Sequence, residues 1–106
     1  MGSGQKLLAE ATADVAAGRV LLTAHALRRS VERDISMAEL REAAATFEVV
    51  EAYPHDKYAP SVLLLGFTRR GRPIHVQLSL KAGPAAIVVT LYEPDPLQWV
   101  NHRTRL

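Results

Sequence analysis

The chain has 106 residues, a length that suits one domain rather than two, with 48% hydrophobic and 23% charged residues and a formal net charge of +2. It has no cysteine, which excludes disulfides and thiolate metal sites. No apolar run reaches the roughly 18 residues of a membrane span, and no secretory-type leader opens the chain, so a cytoplasmic protein is expected.

Three helices come first. Leu7, Leu8, Ala11 and Val15 recur at helical spacing, with Gly18 as a stop, and a short extended piece runs from Arg19 to Leu22. Thr23 caps a second helix from about Ala24 to Arg33, whose apolar stripe is Ala24, Leu27 and Val31. Ser36 and Glu39 form a capping box for a third helix, with Met37, Leu40, Ala43, Ala44 and Phe47 as its buried stripe.

Strands follow. Phe47 to Tyr53 reads as an edge strand ended by Pro54, and Ser61 to Thr68 as a central strand covered on both faces. A turn at Arg69-Arg70-Gly71-Arg72 leads into Ile74 to Leu80, and one at Lys81-Ala82-Gly83-Pro84 leads into Ala86 to Tyr92. The tail from Glu93 carries two prolines and then Trp99, and is expected to fold back over the sheet. Helices followed by consecutive strands give an α+β fold, with the helices on one face of a three- to four-stranded antiparallel sheet.

Strand residues alternate faces. Ile74, Val76, Leu78 and Leu80 share one face, and Ile87, Val89 and Leu91 are matched to it, with Val88 on the other side. That pairing gathers His75, Gln77, Thr90 and Tyr92 on the opposite face. A solvated polar face explains this pattern as well as a site does.

On the second helix His25, Arg29 and Arg33 stand four residues apart, so they line one stripe, while Arg28 is placed to pair with Glu32. Histidine moves protons near neutral pH and arginine holds phosphate, so the stripe suits phosphodiester chemistry. A solvated basic helix face is the bland alternative. A helix-turn-helix reader of DNA is disfavoured, because its second helix would carry Glu39 and Glu42 against Arg41. The four histidines, His25, His55, His75 and His102, show no metal-ligand spacing, so neither metal nor cofactor is expected. Residues 66–82 hold Arg69, Arg70, Arg72 and Lys81 and no acid, a charge run compatible with a polyanion.

These pieces form an ordered pattern. His25-Ala26 with Arg29 four residues after the histidine and Arg33 before a turn, then Val62 to Gly66, then Arg72-Pro73-Ile74-His75-Val76, then Ile87 to Pro96 with Trp99 and Arg105, resemble the family of domain of unknown function 4258. The resemblance spans about residues 20–106, with a preceding helix at 1–19, and departs at Asp34, where the family usually has glycine. It implies a RelE- and barnase-type ribonuclease fold and RNA cleavage without metal, as in toxins encoded beside a zinc-finger antitoxin. On that basis His25, His75, Arg29 and Tyr92 are the expected catalytic residues, with acid and base unassigned, and Arg33, Arg69, Arg70, Arg72, Thr90, Arg103 and Arg105 the expected RNA contacts. The competing expectation is a binding module of the same fold without turnover. It gains if His25 and His75 do not share one phosphate-sized site.

Overall fold

A computed structural model describes residues 2–106. In chain order the elements are α1 (Gly2–Ala17), β1 (Val20–Leu22), α2 (Ala24–Glu32), α3 (Met37–Ala44), β2 (Glu48–Tyr53), β3 (Ser61–Phe67), β4 (Pro73–Ser79), β5 (Ala86–Tyr92), β6 (Trp99–Val100) and β7 (Thr104–Arg105). Five strands form one sheet in the order β1-β5-β4-β3-β2, and β6 and β7 make a separate hairpin. The antiparallel run β2 to β5 matches the expected strands. The fifth strand corrects both the expected count and the expected all-antiparallel character, because β1 lies parallel to β5, Val20 opposite Ala86 and Leu22 opposite Val88. Three residues are too few to show strand periodicity, so nothing local in the sequence announces this pairing.

The helices cover one face of the sheet, as their stripes require. Ala11, Val15, Ala26, Ile35, Leu40 and Ala44 pack against Val62, Leu64, Ile74, Val76, Leu78, Val88 and Leu91. The expected capping box opens α3: Ser36 Oγ accepts the Glu39 N–H, and the Glu39 carboxylate accepts the Ser36 N–H, each at 3.0 Å. Gly66 lets α3 approach β3 closely, since a Cβ there would overlap the Ala43 carbonyl.

The rotation of α2 differs from expectation. Its buried residues are Ala26 and Ser30, whereas Leu27 and Val31 are 57% and 75% exposed. Two anchors set this rotation. Thr23 donates its N–H to the Val88 carbonyl at 3.1 Å and its hydroxyl to the Val89 carbonyl at 2.8 Å, while also capping Ala26. Small side chains then face β5, and the larger apolar ones turn outward. At the other end Arg72 donates to the Asp34 carbonyl (2.8 Å) and the Arg33 carbonyl (2.7 Å), satisfying carbonyls a helix terminus leaves open. Asp34 has φ 53°, a left-handed conformation that explains why glycine suits this turn.

The strand parity also shifts at one place. The register pairs His75 with Tyr92 and Gln77 with Thr90, which sets these four on one face as expected, and then slips so that Leu78 faces Val88. Val89 is the extra residue of a bulge. Val88 and Leu91 therefore both reach the core, and Ile87 and Val89 line the open face with Gln77.

Candidate functional site

The second helix forms one wall of the site. It packs against β5, capped at the level of Val88 and Val89, so the stripe His25, Arg29, Arg33 follows the strand toward its end. The expected Arg28–Glu32 pair is replaced by Arg29–Glu32 at 3.7 Å, which leaves Arg28 and Arg33 without an acidic partner among the described residues. At 3.7 Å between exposed groups the Arg29 pair is weak and salt-screened.

The open sheet face forms the floor. His25 lines a cavity of about 540 Å³ together with Asp56, Tyr58, Ser61, Gln77 and Val89. Asp56 is fixed by three donors: the Lys57 N–H at 2.8 Å, the Ser61 hydroxyl at 2.7 Å and the Gln77 amide at 3.3 Å. Gln77 also donates to Ser61 Oγ at 2.9 Å, so the carboxylate sits in a closed polar network. Tyr58, 88% exposed, stands at the rim.

This cavity continues along the sheet. Asp56 and Gln77 also line a second hollow with Thr90, Tyr92 and Arg105. Tyr92 in turn lines a third, a cleft of about 600 Å³ walled by Arg29, Arg33 and residues 93–96. His25, Arg29, Arg33, Thr90 and Tyr92 thus line adjoining hollows, and Asp56 lines the first two of them from the loop between β2 and β3.

His75 lines none of these hollows. Its side chain lies on the open face as the parity requires, but it is fully buried beneath the β6–β7 hairpin. Its ring meets Trp99 edge-on at 4.6 Å and Tyr92 at 5.3 Å. Nε2 lies 2.6 Å from the His102 carbonyl, which can only accept, so Nε2 carries the proton and Nδ1 accepts from the Tyr92 hydroxyl at 3.3 Å. Burial pushes the imidazole below its usual range, against the opposing pull of the His102 carbonyl. Burial likewise raises Tyr92 above the usual phenol. No cavity joins His75 to His25.

The other expected contacts divide. Arg72 lines the arginine cleft but is committed: beyond the two carbonyls it holds Glu93 at 2.8 Å and Glu39 at 3.1 Å, and these acids raise it above the ordinary guanidinium. Arg103 is paired with Glu48, and Arg105 with Glu51, each at 2.8 Å. Arg105 also stacks over Trp99 at 4.6 Å within the hairpin, and its bond to Glu51 ties the hairpin to β2. Arg69 and Arg70 are exposed in the β3–β4 turn, outside the groove. Tyr53 donates to Glu51; burial first, then this bond, lift its phenol to about 12.

Asp56 is the residue that sequence reading misses. It sits in an irregular loop, and it reaches Gln77 only through the β3–β4 pairing, so no spacing rule points to it. Among the described residues no group of three or more His, Asp or Glu side chains could hold a metal ion, and no helix is long and apolar enough to cross a membrane.

Residues 22–93 match the family described as domain of unknown function (DUF4258). The match ends before the hairpin that seals His75. No curated protein matches, and no solved structure matches.

Proposed function

The chain belongs to the DUF4258 family, and on that footing we propose that it is a metal-independent endoribonuclease whose site is the groove between α2 and the open sheet face. The observation that carries this reading is that His25 and Asp56, two groups able to move protons, line one cavity large enough for a phosphodiester and its ribose. Asp56 takes the 2′-OH proton, O2′ attacks phosphorus, and the P–O5′ bond breaks as His25 delivers a proton to the leaving oxygen. The products are a 2′,3′-cyclic phosphate and a 5′-hydroxyl. Arg29, one helical turn from His25, holds the phosphate oxygens and the charge that develops on them. The helices-on-sheet layout is in keeping with the RelE- and barnase-type architecture that the sequence pattern suggests. On this reading a zinc-finger antitoxin, if it accompanies the protein, acts by covering this groove.

Mixed-sequence RNA incubated with the protein in EDTA gives cyclic-phosphate ends, and both His25→Ala and Asp56→Asn lose them. Full activity in His25→Ala sinks the assignment.

The sealed state of His75 favours a second reading, an RNA-binding module without turnover. It removes one member of the histidine pair on which catalysis was first expected to rest. Salt-sensitive RNA binding with no cyclic-phosphate product from wild type selects this reading.

A further inference from the structure

Beyond the cavity that holds His25 and Asp56, the cleft at the far end of α2 shares only Arg29 with the chemistry just described, and its Arg33 and Tyr92 have no role there. It is built rather than incidental. Arg33 stands at its wall with no acidic partner among the described residues, Tyr92 supplies aromatic surface, and Asp95 and Gln98 present polar groups on the opposite side. Two carboxylates share the cleft. Glu93 is paired with Arg72, and Asp95 accepts the Leu97 N–H at 2.9 Å, so Arg33 is the cation of this wall with no acidic partner among the described residues. A purely basic cleft would suit any anion. This mixture suits a ligand with an anionic end, a flat apolar body and a hydrogen-bonding edge.

The spacing along α2 narrows the ligand further. Four helical residues rise about 6 Å, comparable to one nucleotide of an extended strand, so His25, Arg29 and Arg33 step along α2 at nucleotide intervals. The hollows adjoin, since Gln77 and Asp56 border both the first cavity and the second, and Tyr92 borders both the second and the cleft.

We infer that the cleft of Arg29, Arg33 and Tyr92 is a nucleotide subsite for single-stranded RNA, taking a nucleotide next to the scissile dinucleotide, with its phosphate on Arg33 and its base edge toward Asp95 and Gln98. This rests on the groove being the RNA site. The strand must be unpaired, because a base already in a duplex has its Watson–Crick edge occupied and its face stacked. A substrate must also reach beyond the scissile dinucleotide.

The test uses labelled 2′-O-methyl oligonucleotides, which bind but cannot be cleaved, of two and four nucleotides and as a paired hairpin. Fluorescence anisotropy on the whole protein gives binding about tenfold tighter for four nucleotides than for two, the increment expected of a charged hydrogen bond. The hairpin's stem binds no better than the dinucleotide. Arg33→Ala removes the step, and Arg33→Lys restores part of it. The Arg33 side chain is exposed, and the carbonyl that Arg72 uses is backbone, so both variants keep the wild-type melting temperature. Equal binding of the two lengths, no binding of either, or a step that survives Arg33→Ala overturns the subsite. A step that depends on Arg33 alongside intact, uncut 2′-hydroxyl RNA leaves the subsite standing and overturns the catalytic reading instead.

Discussion

His25 and His75 flank the same strand, yet one stands exposed on α2 at the mouth of a cavity and the other is sealed under the C-terminal hairpin with both ring nitrogens bonded. The chain offers both residues as equivalent proton carriers; the fold separates their duties. A group that must exchange protons with substrate needs access. A group that fills a buried polar face needs partners. His75 has partners in Tyr92 and the His102 carbonyl, and its neutral form is the one the site favours.

The sharpest way to break this comparison is to truncate each histidine. His25→Ala should lower ribonuclease turnover by about 10²–10⁴-fold with little change in melting temperature. His75→Ala should behave oppositely, losing about 2–4 kcal/mol of stability by denaturant titration, because it removes a fully buried ring and orphans two hydrogen-bonding groups. If His75→Ala folds at wild-type stability and loses only turnover, the division of roles fails.

Acid sharpens the contrast. The folded state holds a proton on His75 less well than the unfolded chain, whose imidazole titrates near 6.5, so the unfolded state binds more protons below that pH. His75 therefore costs no stability above about pH 6.5 and weakens the fold increasingly as pH falls through that value. The groups facing it are Glu51 from β2, Tyr92 from β5, and Arg105 and the His102 carbonyl from the hairpin. Urea midpoints of wild type should decline between pH 6.5 and 5 more steeply than those of His75→Gln. Parallel slopes would mean that other groups govern the acid response.

The smallest expected effect is at the hairpin's own tether. Arg105 is 58% exposed and its partner Glu51 26%, so Glu51→Gln should cost ~1 kcal/mol or less. Glu51 is held below the usual carboxylate range, burial raising it and the bonds from Arg105 and Tyr53 outweighing that. Hydrogen exchange should therefore quicken at Trp99 and Arg105 amides while β3 and β4 stay protected.

Local signals carried most of the fold. The Thr23 cap, the Ser36–Glu39 box and the shared face of His75, Gln77, Thr90 and Tyr92 are all where side-chain chemistry and alternation put them. What failed depends on contacts distant in the chain. The bulge at Val89 has no glycine to announce it, so parity misassigns Ile87, Val88 and Val89. The rotation of α2 is decided by Thr23 reaching β5 and by Arg72 reaching its far end, against the apparent stripe of Leu27 and Val31. At the site, His25, Arg29, Arg33, Thr90 and Tyr92 were legible because helix and strand periods align them. Asp56 was not, because a loop has no period. The tail was expected to fold over the sheet, and it does, but only the register shows that it closes on His75.

The pairing of β1 with β5 has a consequence in time. The first strand of the sheet closes on the last, across more than sixty residues, and Thr23 finds its carbonyls only on β5. During synthesis α2 can form early but has no sheet edge to dock on until Ala86 to Tyr92 have emerged. The arginine-bearing face of α2 and the open sheet face then come together in one late step, so an incomplete chain lacks this juxtaposition, and changes at Thr23 and Val88 should speed unfolding more, and slow folding less, than equally buried changes within the local β3–β4 pair.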